Sequence, residues 1–94
     1  MSARRFEDKT AILTGGAKGI GKATALRYLS EGGRLAVIDQ EAPDSDFAAA
    51  LRSEAGQSAQ RLAYIQANVT DEVEVARAVG EAEAALGPAD ILVN

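Results

Sequence analysis

An α/β architecture is expected, with a doubly wound parallel sheet whose elements follow in the order β-α-β-α-β-α-β. Two observations lead there. Thr10-Ala11-Ile12-Leu13, Leu35-Ala36-Val37-Ile38 and Asp90-Ile91-Leu92-Val93 are apolar runs of strand length without polar alternation. Strands of that kind are buried on both faces, as in parallel sheets. The stretches between them carry helical spacing, and parallel strands need such crossovers. The right-handed rule for crossovers then restricts the topology to a doubly wound sheet.

Each element has its own signals. The first strand is closed by Gly15 and Gly16. From Ile20 the pattern is helical, with Ile20, Ala23, Leu26 and Leu29 expected on the buried side and Gly32-Gly33 as the stop. The second strand ends at Asp39. Pro43-Asp44-Ser45-Asp46 reads as a helix start, because acids and a hydroxyl satisfy free N–H groups there. That helix presents Phe47 and Leu51 and stops near Gly56. Residues 61–66 form a weaker third strand. Asp71 with Glu74 makes a capping box for a helix expected to bury Val75, Val79, Ala82 and Leu86 and to stop at Gly87-Pro88. A fourth strand follows, expected at an exposed edge that can pair with other chains.

Composition narrows the chemistry. The chain has 94 residues, 47% hydrophobic and 26% charged, which is a globular balance for one small domain. It contains neither cysteine nor histidine, so disulfides, thiolate nucleophiles, Ser-His catalysis and the commonest metal ligand are excluded. No metal site is expected. No apolar run reaches membrane-spanning length, and the first eight residues lack the apolar core of a secretory signal. A soluble, cytoplasmic protein without membrane contact is the default expectation. Residues 1–34 carry seven Lys/Arg against three Asp/Glu, and residues 35–94 three against eleven. A net charge of −4 without a basic, aromatic-interleaved patch argues against nucleic acid.

The chemistry gathers in Thr14-Gly15-Gly16-Ala17-Lys18-Gly19-Ile20-Gly21, between the first strand and the first helix. A parallel sheet opens its ligand crevice at such a turn, and the helix start offers unpaired N–H groups to an anion. Gly15 allows the sharp turn, Gly19 lets a diphosphate approach the backbone, and Gly21 lets the helix lie close to the strand. Lys18 can add a charge-assisted contact. Asp39 follows Gly19 by 20 residues. Dinucleotide-binding folds place there the acid that accepts from the adenosine ribose hydroxyls. A 2′-phosphate at ~4–5 Å from that carboxylate is repelled by about 3–4 kcal/mol per pair of unit charges at an effective dielectric near 20. Gln40 and Glu41, not an arginine, come next, so NAD is expected in preference to NADP.

These residues resemble the short-chain dehydrogenase/reductase family across nearly the whole chain. Its cofactor motif Thr-Gly-x-x-x-Gly-x-Gly is matched by Thr14, Gly15, Gly19 and Gly21. Its Asp-Val adenine segment corresponds to Asn68-Val69, where Asn replaces Asp, and the run into its Asn-Asn-Ala-Gly motif to Asp90-Ile91-Leu92-Val93-Asn94. The Asn68 carboxamide can accept from the adenine amine and donate to a ring nitrogen. The resemblance implies a Rossmann-type fold, residues 1–94 being the N-terminal part of a single NAD-binding domain, cut before the catalytic half. It implies a cofactor set of Gly15, Lys18, Gly19, Ile20, Gly21, Asp39, Asn68, Val69 and Asn94. The implied activity is hydride transfer between NAD and an alcohol or ketone, by a full-length form that is a homo-oligomer. The family's catalytic Ser and Tyr-x-x-x-Lys have no counterpart here: Gly32 lies four residues after Tyr28, and Asn68 four after Tyr64. Packing roles are expected for both tyrosines, and the isolated 94 residues are expected to be weakly stable and catalytically silent.

Two other readings compete. Gly16 to Lys22 satisfies GxxxxGK, the P-loop pattern, but Ala23 stands where Ser or Thr must reach magnesium, and Thr24 is one residue late. The other is a nucleotide-binding module without chemistry.

Overall fold

The computed structural model describes residues 6–16 and 19–93. Its elements are β1 (Thr10–Thr14), α1 (Gly19–Ser30), β2 (Arg34–Asp39), α2 (Asp46–Ala55), a 3-10 helix (Gly56–Arg61), β3 (Leu62–Gln66), α3 (Glu72–Leu86) and β4 (Ile91–Val93). All strand pairs are parallel, in the order β3-β2-β1-β4. The doubly wound sheet is therefore present, with β4 at an edge where Leu92 and Val93 are exposed.

The order dictates which face each helix takes. The steps β1 to β2 and β2 to β3 run the same way, so right-handed crossovers put α1 and α2 on one face. The step β3 to β4 reverses and puts α3 on the other. Strand alternation supplies each face with its apolar residues. Ala11, Leu13, Leu35 and Val37 pack with Ala25, Tyr28 and Leu29 of α1 and Leu51 of α2. Ile12, Ala36 and Ile38 pack with Ala78 and Ala82 of α3.

The helices are rotated from the expected stripes. In α1 the buried residues are Ala25, Tyr28 and Leu29, whereas Ile20 is 87% exposed and Ala23 is exposed. The cause is the first turn of the helix. A Cβ on Gly21 would lie 2.1 Å from the Gly15 carbonyl oxygen, so Gly21 marks the side pressed against the β1 end, and Ala25 and Leu29 follow it at intervals of four. In α2 Ala48 and Leu51 are buried while Phe47 is 44% exposed. In α3 Ala78 and Ala82 form the buried line, with Val75, Val79 and Leu86 only half-buried beside it. Small residues occupy the lines of closest approach, and the larger ones flank them.

Both predicted helix starts are capped. Ser45 accepts from the Ala48 N–H, and Asp71 accepts from the N–H groups of Val73 and Glu74. The capping box is half-formed, because Glu74 turns away from Asp71 and accepts from the Asn68 N–H at 3.0 Å. The 3-10 helix was not foreseen, and it takes Arg61 out of the expected third strand. Arg61 donates to the carbonyls of Leu29 and Gly33, closing the end of α1. No helix among the described residues is long and apolar enough to cross a membrane.

Candidate functional site

The carboxyl ends of β1, β2 and β3 surround a crevice of about 410 Å³ lined by Gly15, Asp39, Gln40, Val69 and Thr70. Strand register explains the grouping. Leu13 pairs with Val37 and both face α1, and Asp39, two residues after Val37 in β2, ends on that side next to the glycine turn that follows β1. The Gly15 N–H donates to the Ile38 carbonyl at 2.8 Å, which ties the turn to the end of β2.

The turn is built for close approach. Gly15 has a φ of +76°, a left-handed conformation that favours glycine, and a Cβ on it would meet nothing within 4 Å. Gly19 opens α1, and a Cβ there would likewise point into open space. Gly21 is closed in by the Gly15 carbonyl, as expected, though the contact is with the turn rather than with the strand. Gly16 has a role that the sequence reading missed: a Cβ there would meet Val37 Cγ1 at 2.8 Å beneath the turn. The starts of α2 and α3 carry Asp46 and Glu72 with Glu74, but the first turn of α1 carries no acid. No acid within its own first turn offsets the positive end of α1.

Asp39 is buried at the tip of β2, with a relative exposure of 7%. Its Oδ1 accepts from the Glu41 N–H at 3.0 Å, and its carbonyl accepts from the Ala67 N–H at 2.9 Å. Across the crevice, Asn68 sits in a turn whose geometry fixes its amide. Its Oδ1 accepts from the Thr70 N–H at 3.0 Å and from Thr70 Oγ1 at 2.6 Å. The oxygen is therefore already engaged, and Nδ2 is the group that faces other partners. Asn68 is not part of the crevice lining; Val69 and Thr70 are.

Of the expected cofactor residues, Gly15, Asp39 and Val69 meet at one crevice, with Gly19 and Gly21 in the adjoining helix start. Ile20 lies instead on an apolar groove of about 510 Å³ between α1 and β4, with Leu13, Ala23, Tyr28, Ile91 and Val93. Lys18 and Asn94 lie outside the described residues. Gln40 and Thr70 were missed as lining residues, although each directly follows an expected one. Thr24 lines the apolar groove and not the crevice at the glycine turn.

Both tyrosines are held in hydrogen bonds to the main chain. Tyr28 donates to the Lys9 carbonyl at 2.7 Å and stacks on Phe6. Burial, reinforced by Asp90, raises its pKa. Tyr64 donates to the Glu41 carbonyl at 2.9 Å. Burial, then the charges of Asp39 and Glu41, push its pKa up to about 12. Among the described residues no three His, Cys, Asp or Glu side chains gather as a metal site.

The comparisons with known proteins bear on the family and the fold. The family model for short chain dehydrogenases matches residues 9–94. Sorbitol dehydrogenase of Cereibacter sphaeroides is 40% identical over 90 residues, which are 96% of this chain and 33% of that protein. The 2-dehydro-3-deoxy-L-rhamnonate dehydrogenase (NAD(+)) of a Sphingomonas strain is 37% identical over 91 residues, 97% of this chain and 34% of that one. Among solved structures, a Serratia marcescens short-chain dehydrogenase/reductase F98Y/F202Y mutant superposes with a TM-score of 0.85 at 32% identity, covering 95% of this chain and 36% of the other. The chain spans about a third of the length of the relatives it matches. With the glycine turn, the parallel sheet and the family match in agreement, the chain belongs to the short-chain dehydrogenase family.

Proposed function

We propose that residues 1–94 form the N-terminal part of a single NAD-binding domain, holding the adenosine-diphosphate side of the cofactor, in an oxidoreductase that acts on an alcohol or ketone. The observation that carries this is the shared crevice: Gly15 and Asp39 line the same space, and a Cβ on Gly15 or Gly19 would point into open space, which glycine leaves to a ligand. The group fits. Its diphosphate takes the glycine turn and the acid-free first turn of α1, and Lys18 is proposed from the sequence to add a charge-assisted contact. Asp39 accepts from the ribose hydroxyls. Val69 packs on the adenine, and Asn68 meets the base as a donor through Nδ2. Ile20 lies toward β4, on the other side of the loop, and Asn94 is proposed as a cofactor contact from the sequence motif alone.

Bound NAD supplies a nicotinamide ring that accepts or donates a hydride. This chain's residues bind and orient; none of them is assigned a proton-transfer role. Neither tyrosine has a lysine four residues on, and both pKa values are raised, the opposite of what an activated tyrosine needs. Catalytic groups, substrate and any homo-oligomeric contacts belong to the full-length protein, for which a cytoplasmic location is proposed.

NAD over NADP follows from Asp39. The carboxylate is buried at the crevice, where a 2′-phosphate meets it without an arginine in the next two positions. The relative whose name specifies NAD(+) supports the same choice. In the full-length protein, Asp39→Ala is expected to narrow the NAD/NADP ratio of kcat/KM by about tenfold or more, since 1.4 kcal/mol of the repulsion suffices for that factor. An unchanged ratio would remove the role assigned to Asp39.

A further inference from the structure

Tyr64 and Gln66 stand outside the crevice, yet both reach from β3 to the segment that follows Asp39. Their places are set by register: Tyr64 pairs with Val37 and Gln66 with Asp39, so both project on the Asp39 side of the sheet. Tyr64 donates its hydroxyl to the Glu41 carbonyl at 2.9 Å, and Gln66 Nε2 donates to the Gln40 carbonyl at 3.1 Å. One bond further along, the Glu41 N–H donates to Asp39 Oδ1 at 3.0 Å. Arg52 of α2 stacks over the Tyr64 ring at 5.7 Å and donates to the Pro43 carbonyl at 2.7 Å. The loop is thus held at three carbonyls, those of Gln40, Glu41 and Pro43.

We propose that Tyr64 and Gln66 are positioning residues that hold the Glu41 N–H against Asp39, and so orient its carboxylate for NAD and against NADP. This rests on the function proposed above. The physical need is clear. A carboxylate rotates about its last bond in a broad, two-fold well, so a fixed N–H on one oxygen helps to set where the other points. That N–H shares its peptide with the Gln40 carbonyl, which Gln66 holds, and Tyr64 holds the carbonyl of the next peptide, that of Glu41. Without Tyr64 and Gln66 the peptide can tilt, the carboxylate loses its direction, and discrimination between a ribose hydroxyl and a 2′-phosphate weakens. The Tyr64 phenol keeps its proton through neutral pH and stays a donor.

The test uses Tyr64→Phe, which keeps the ring, and Gln66→Ala, at an exposed position where folding is not at stake. Two readouts are taken on the full-length protein: hydrogen exchange of residues 40–41 without cofactor, and Kd for NAD and NADP by calorimetry. Each variant should speed exchange at Glu41 and weaken NAD by about two- to tenfold, the range of one neutral hydrogen bond, while NADP is unchanged or tighter. In an Asp39→Ala background the same substitutions should leave the ratio of the two Kd values unmoved. Equal weakening of both cofactors, unchanged exchange, or an undiminished effect without Asp39 would overturn the positioning role. If Asp39→Ala itself leaves the ratio unchanged, the underlying reading of that carboxylate has failed instead.

Discussion

Glycine means opposite things at two positions of this chain. Gly21 faces the Gly15 carbonyl so closely that a Cβ would lie 2.1 Å from the oxygen, whereas Gly80 lies in the body of α3 with open space around it. Gly21→Ala must therefore push the turn aside and should cost about 1–3 kcal/mol, the range for overpacking. Gly80→Ala should instead stabilise by about 0.5–1 kcal/mol, because a helical glycine carries only the entropic penalty. Urea midpoints of the two variants check the contrast, and equal behaviour would mean that α1 does not press on the turn. The places of Gly15, Gly19, Gly21 and Asp39 in the fold were legible because spacing orders them along strands, a turn and a helix. Gln40 and Thr70 were not, since their places depend on which way a loop turns after a strand ends.

The element scale shows where periodicity misleads. Reading the largest apolar residues as the buried stripe singled out Ile20 in α1 and Phe47 in α2, but the helices lie on Ala25 and Ala48 instead. In an alanine-rich helix the close-packed line is marked by the small residues, and large ones reach around it from the sides. Start signals were easier to read, being local. Asp71 holds two N–H groups of α3, and Asp71→Ala is expected to cost about 1 kcal/mol, as for other lost N-caps. Glu74→Ala should cost less, since its carboxylate serves the exposed Asn68 N–H rather than closing a capping box. Denaturant unfolding of both variants measures the order, and the reverse order would restore the reciprocal box. The 3-10 helix had no sequence signal, because Arg61 reveals its purpose only through the carbonyls of Leu29, in α1, and Gly33, just beyond it.

At the scale of the whole molecule, strand order does most of the work. The reversal between β1 and β4 places α3 opposite α1 and α2 and leaves the carboxyl ends of β1 to β3 open around one crevice. The doubly wound parallel architecture was readable from apolar runs and the handedness of crossovers, whereas the strand order and the individual packing faces were not. Alkaline stability is a property of the same whole. Tyr64 has its pKa raised from 10.0 to about 12. Below the unfolded value both states hold the proton and the contribution is complete; as pH rises from there through the folded value, only the unfolded state ionises and stability falls. Urea midpoints across that window should decline more steeply in the parent protein than in Tyr64→Phe, and identical slopes would contradict the shift. The most direct test of the central claim is a crystal structure of the full-length protein with NAD bound. The account predicts the diphosphate against Gly15 and Gly19 and a ribose hydroxyl within about 2.6–3.2 Å of the Asp39 carboxylate, the reach of a hydrogen bond. A cofactor seated elsewhere, with Asp39 turned from the sugar, would contradict it.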